Sequence, residues 1–166
     1  MKNFKFTVLG FGLMLMAASC KKYDVQEAQA PAAPLVSNTT PAKWSSISSW
    51  SSSTSGNTTT HFSKVADSSI TAAVAKSGLV LVFKKDGSGI QSLPFEEKES
   101  KAYWYYQVSN GSVRINSDNN KGQNLAQQSF TYFVITPEKL AALEASGKSR
   151  FELLNLNFEQ AGALLK

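Results

Sequence analysis

Few side chains in this chain are equipped for chemistry. His61 is the only histidine, so a Ser-His-Asp triad would have to be built on it. It lies in the threonine-rich stretch Thr60-His61-Phe62, and no nucleophile-elbow sequence occurs anywhere in the chain. A surface histidine on a strand is the expectation. Glu96, Glu97 and Glu99 gather beside Lys98 and Lys101. Glycoside hydrolysis needs two carboxylates facing each other across a cleft, which neighbours in one loop do not provide, so a solvated loop is expected there. Gly87-Ser88-Gly89 lacks the Gly-Lys-Ser/Thr ending of a phosphate-binding loop and leads into a strand pattern, so it is expected to be a turn. One histidine and one cysteine cannot build a histidine- or cysteine-rich zinc site, and no calcium-loop spacing is present. No catalytic residue, metal or cofactor is expected, and the chain is not expected to be an enzyme.

Cys20 carries a more specific signal. Lys2 and Lys5 form a short positive region, followed by an apolar run from Phe6 to Ala18. That run is too short to cross a bilayer, which takes about 20 apolar residues. It suits the apolar region of a secretory signal. The segment Ala17-Ala18-Ser19-Cys20 resembles the lipobox of bacterial lipoproteins, with Ala17 where a leucine is usual. The resemblance implies cleavage before Cys20, lipid on its thiol and acylation of the new amine. A lone thiol cannot form an internal disulfide in a secreted domain, and lipidation accounts for it. Several acyl chains are needed for stable anchoring.

The aromatic run Tyr103-Trp104-Tyr105-Tyr106 leads to Asn110-Gly111, a strong signal for a two-residue type I′ hairpin turn. With Asn110-Gly111 as the turn, Val108 faces Val113 and Tyr106 faces Ile115, with Trp104 on the same core side. Tyr103, Tyr105, Gln107, Arg114 and Asn116 then share the opposite face. This is a candidate ligand platform: a sugar's apolar face can stack on tyrosine while its hydroxyls meet amide and guanidinium groups. Trp44 and Trp50, on a serine-rich stretch, are candidates for docking a partner.

The elements that must hold these residues can be read coarsely. Residues 1–19 are expected to be a signal peptide, 20–43 the lipidated cysteine and a flexible Ala/Pro/Gln/Thr-rich tether, and 44–166 one β-rich domain. Thr58–Val65 alternates as a strand, and Asp67-Ser68-Ser69 starts a short helix ending at Gly78. Leu79–Phe83 is a strand buried on both faces, Ile90–Phe95 a shorter one, and Phe130–Thr136 a central one. Thr136-Pro137-Glu138 begins a helix that Gly147 stops. Phe151–Leu156 is expected as a last strand, and Asn157 as the cap of a C-terminal helix. The fold class is mainly β (α+β): an antiparallel β-sheet or sandwich of about six or seven strands with two or three short helices.

The succession Gly78-Leu79-Val80-Leu81-Val82-Phe83, Ser92-Leu93-Pro94-Phe95, the Asn110-Gly111 hairpin and Phe130-Thr131-Tyr132-Phe133-Val134-Ile135 resembles a group of small uncharacterised lipoproteins of the Bacteroidetes. The Ser19-Cys20-Lys21-Lys22 junction is similar to theirs as well. The resemblance implies an envelope compartment and a compact β-rich domain, and brings no catalytic motif. The formal net charge of +5 falls by two when Lys2 and Lys5 leave, and Lys21 and Lys22 sit beside the anchor. The folded part is thus near neutral, and no nucleic-acid partner is expected. The expected function is a non-catalytic binding or accessory module, anchored to a membrane through lipid on Cys20. The expected site is the outer membrane, facing the periplasm or the cell surface. A glycan or an envelope protein is the expected partner. The alternatives are a structural or assembly subunit of an envelope complex and a small hydrolase.

Overall fold

Leu79, Leu81 and Phe83 alternate with Val80, Val82 and Lys84, and all six side chains are buried. Successive side chains of a strand point to opposite faces, so a strand of this composition needs cover on both sides. The structure, a computed structural model, describes residues 43–119 and 125–165. The expected leader, Cys20 and all of the expected tether but Lys43 lie outside them. The described residues all fall within one compact unit, Val36–Lys166.

In chain order they form β1 (Ser45–Ser46), β2 (Ser51–Ser55), β3 (Thr58–Ala66), α1 (Ala72–Ser77), β4 (Leu79–Asp86), β5 (Gly89–Ser92) and β6 (Phe95–Glu96). Then follow β7 (Tyr103–Ser109), β8 (Ser112–Asp118), a 3-10 turn at Leu125–Gln127, β9 (Ser129–Ile135), α2 (Pro137–Ala145), α3 (Arg150–Leu154) and α4 (Phe158–Leu165). One antiparallel sheet has the order β1-β9-β4-β5 and the other β2-β3-β8-β7-β6. The protein is thus mainly β, with nine strands and four α-helices among the described residues.

Alternation along β4 and β9 divides the core in two. Val80, Val82, Phe130 and Tyr132 point toward the five-stranded sheet and meet Trp104, Val113 and Ile115. Leu79, Leu81, Phe83, Phe133 and Ile135 point the other way and meet Leu140, Leu143, Leu153, Ala161 and Leu165 of the helices. The result is three layers: five-stranded sheet, four-stranded sheet, helices. Each fully buried Leu, Ile, Val or Phe contributes about 1.5–3 kcal/mol of transfer free energy.

The β7–β8 hairpin has the expected register, with Val108 opposite Val113, Tyr106 opposite Ile115 and Trp104 opposite Ser117. Its turn differs from expectation. A type I′ turn needs positive φ at both central residues, and here Gly111 has φ +76° while Asn110 is not in the left-handed region. Tertiary bonds act on this turn: the Asp67 N–H donates to the Gly111 carbonyl (2.9 Å) and the Gly111 N–H to the Ile70 carbonyl (2.7 Å).

Three further expectations are corrected. The helix expected from Asp67 begins later, capped by Thr71, whose side chain accepts from the Val74 N–H. Asp67 instead closes a turn by accepting from the Ser69 N–H at 2.8 Å. Ile90–Phe95 is not one strand. Leu93 is buried, with its N–H on the Val82 carbonyl, and the chain leaves β5 of one sheet to enter β6 of the other. Phe151–Leu156 is not a strand: residues 150–154 form α3. Ser149 and Glu152 form a capping box, the Ser149 hydroxyl accepting from the Glu152 N–H and the Glu152 carboxylate accepting from the Ser149 N–H. Gly78 does end α1, and a close approach explains the glycine: a Cβ there would lie 2.6 Å from the Ile135 carbonyl oxygen.

Polar bonds tie the layers together. The Tyr106 hydroxyl donates to the Val80 carbonyl at 2.6 Å, joining the two sheets. Arg150 donates to the Gly78 carbonyl at 2.6 Å, joining α3 to the end of α1. The Tyr132 hydroxyl donates to Asp67 at 2.6 Å. Burial works to raise the Asp67 pKa, but bonds from Tyr132 and Ser69 outweigh it and hold the carboxyl below its ordinary 3.8. Burial, followed by the bond to Asp67 and its charge, pushes the Tyr132 hydroxyl well above its ordinary 10.0.

The depressed Asp67 pKa contributes stability that is present above the ordinary carboxylate value and lost as pH falls through the folded one. The raised Tyr132 pKa contributes stability that is present below 10.0 and lost as pH rises through the folded value. Asp67→Asn is therefore expected to be less stable than the parent at pH 7, with the gap narrowing toward pH 2. Urea denaturation at both pH values checks this, and a gap of constant size would contradict it.

Candidate functional site

The five-stranded sheet uses one face for the core and leaves the other outside the sandwich. Register fixes which residues share that outer face, because directly paired residues of an antiparallel ladder lie on one side. Tyr103, Asp118, Thr60 and Ser53 form one cross-strand row. Tyr105, Asn116, Phe62 and Ser51 form the next. Gln107, Arg114 and Lys64 form the third. The fold thus brings together all five residues of the expected platform, Tyr103, Tyr105, Gln107, Arg114 and Asn116. It adds Phe62, Lys64, Thr60 and Asp118, which sequence reasoning did not place there. The alternation Thr60, Phe62, Lys64 along β3 was visible, but its pairing with β8 was not.

Tyr103 and Tyr105 are stacked with ring centroids 5.6 Å apart and planes 25° from parallel. Tyr103 is exposed (42%), Tyr105 half-buried, and Asn116 buried between its row neighbours. Asp118 accepts from the Thr60 hydroxyl at 2.5 Å and from the Tyr105 hydroxyl at 3.4 Å, so this carboxylate is already engaged. Burial first, then the Asp118 charge, raise the Tyr105 pKa, while the Arg114 charge acts against them. The Arg114 guanidinium carbon lies 3.8 Å from the centroid of the Phe62 ring, a cation–π contact. Its buried Nε has no hydrogen-bond partner. The second sheet packs on the other face, α1 joins the core between the sheets through Val74, and α2, α3 and α4 pack beyond the second sheet, so none of these covers the platform.

Trp44 and Trp50, expected as docking residues, are half-buried and packed internally. Trp44 meets Phe158 at 5.3 Å, and Trp50 meets Trp104 at 6.0 Å and Phe130 at 6.1 Å. The Trp50 indole N–H donates to the Ile47 carbonyl. His61 faces inward, paired across the sheet with Ser52 and Ser117.

The glutamate loop is not simply solvated. Glu97 accepts from the Nζ of Lys84 at 3.2 Å and from the Ser100 hydroxyl at 2.5 Å. Lys84 is only 1% exposed, also pairs with Asp86, and sits 4.8 Å from the Trp104 ring. Burial opposes the charge on Asp86, but the Lys84 and Ser88 bonds and the Lys84 charge outweigh it and lower its pKa. Glu96 makes an exposed ion pair with Lys101 at 3.5 Å.

A cavity of about 110 Å³ opens between the sheets, lined by Ile47, Val65, Ile115, Phe130 and Tyr132 with Lys43 and Ser45. Among the described residues no cluster of three His, Cys, Asp or Glu is arranged to hold a metal. No described helix is long and apolar enough to cross a membrane.

These features define a β-rich α+β domain of three layers with an aromatic and polar sheet face that the second sheet and the described helices leave open. Comparison with protein-family models, curated proteins and solved structures gives no match.

Proposed function

We propose that this chain is a non-catalytic binding module, held at the cell envelope by lipid on Cys20, and that the outer face of the five-stranded sheet binds a glycan. The observation that carries this reading is the sheet face, left open by the other described elements, on which Tyr103 and Tyr105 stack beside Gln107, Arg114 and Phe62. A large aromatic pair left outside a sandwich gains little for folding and offers sugar rings an apolar surface. The polar neighbours supply directional bonds to hydroxyls.

Two measurements test the reading. A glycan array probed with the purified protein should return ligands, and Tyr105→Ala should weaken them about tenfold through loss of about 1–1.5 kcal/mol of stacking. Ligands whose affinity ignores both Tyr105→Ala and Arg114→Ala would place binding elsewhere. Metabolic labelling with a fatty-acid probe should mark the protein and fail on Cys20→Ser. An unlabelled parent protein would remove the anchor.

The assembly-subunit reading has one observation in its favour. Phe151 (76% exposed) and Leu154 (40%) lie three residues apart on α3. If a partner covers them in the envelope, Phe151→Ser should shift the sedimentation of the detergent-extracted protein to a smaller species. An unchanged profile would count against assembly through α3.

A further inference from the structure

We propose that the glycan received by the outer face is acidic, a polysaccharide bearing carboxylate or sulfate groups, and that Arg114 and Lys64 receive the anionic group. This rests on the reading of that face as a glycan platform. Arg114 and Lys64 are direct cross-strand partners. Like charges placed opposite each other on one face are destabilising, and neither forms an ion pair among the described residues. The acidic residues that register places on this face, Asp118 and Glu96, lie in the Tyr103 row, two rows away. Both are engaged, Asp118 by Thr60 and Tyr105, and Glu96 by Lys101.

The face is therefore polarised. One end is tyrosine with a hydrogen-bonded and an ion-paired carboxylate, and the other is two cations beside Gln107 with no ion-pair partner among the described residues. Phe62 lies beneath the Arg114 guanidinium, so the group has a platform of its own. Its Nε is a buried donor with no partner. A guanidinium is suited to grip a planar carboxylate or a sulfate through paired N–H bonds, with the neighbouring ammonium as a second charge. The tyrosine stack lies two residues along the strand, within reach of an adjoining sugar ring.

The test uses two matched pairs of polymers and the purified full protein. These are polygalacturonate with its methyl ester, and dextran sulfate with dextran. The expected result is at least roughly tenfold tighter binding to the acidic member of one or both pairs. The pair showing the gap tells carboxylate from sulfate. The gap should close in Arg114→Gln and shrink in Lys64→Gln, an exposed substitution that does not threaten folding, and persist in Lys76→Gln, a control on α1. Equal binding of acidic and neutral members, with Tyr105→Ala weakening both, would overturn the charge assignment and leave the platform standing. A gap that Lys76→Gln reduces as much as Lys64→Gln would overturn it as unspecific attraction. Binding to none of the four polymers would overturn it too, and the array result then decides the platform separately.

Discussion

Trp104→Ala is expected to lower the stability of the domain by about 3–5 kcal/mol, the range for emptying a buried tryptophan site. Natural domains are stable by only about 5–15 kcal/mol, so this one change removes a fifth of that or more. The reason lies in its position. Trp104 is fully buried on the inner face of β7. Its ring meets Trp50 edge-on at 6.0 Å, Phe130 at 5.7 Å and the Lys84 ammonium at 4.8 Å. Alanine would leave a cavity bounded by both sheets and take away the packing partner that holds the β1–β2 segment through Trp50. Trp104→Phe keeps a ring in place and removes an indole N–H that has no partner in the fold, so it should cost well under half as much. Urea denaturation of the three proteins decides the matter. Equal losses in the two variants would mean that cavity formation is not the cause.

The second large effect is expected at Lys84. Lys84→Ala should cost about 2–4 kcal/mol, a little below the range for breaking a fully buried pair, because Asp86 and Glu97 retain 17% and 18% exposure. The lysine belongs to the four-stranded sheet, and Glu97 follows β6 of the other. Removing the ammonium takes a buried counter-charge away from two partly buried carboxylates. The penalty should therefore be relieved when the carboxylates are neutralised too. Lys84→Met combined with Asp86→Asn and Glu97→Gln should recover most of the loss. If that triple variant is no more stable than Lys84→Ala at pH 7, the loss comes from packing rather than from stranded charge.

What could be read in advance was local. The β7–β8 hairpin was legible because two turn residues fix register, and register alone placed five platform residues on one face. β4 and β9 were legible because unbroken apolar runs leave no polar side to expose. Errors arose where two local signals competed. Phe151-Glu152-Leu153-Leu154-Asn155-Leu156 alternates loosely like a strand, but Ser149 and Glu152 satisfy each other's backbone N–H groups and commit the segment to a helix. Lys84 follows Val80 and Val82 in phase, which points it inward, against the general preference of lysine for water. The remainder depended on long-range pairing. Phe62 and Lys64 join the platform only because β3 lies beside β8, some 50 residues later, and no turn specifies that neighbour.

The rims of the two sheets carry a further consequence. The outermost strands are β1 with two residues, β5 with four, β6 with two and β2 with five. The longest of these, Ser51–Ser55, is serine and threonine throughout and exposed at every position. A long, flat, apolar margin would invite a second copy to extend the sheet, the step that begins fibrous aggregation. Each of these four strands is either too short to template a neighbour or too hydrophilic to reward one. A second copy meeting the protein at one of these four strands therefore gains little by adding a strand to it.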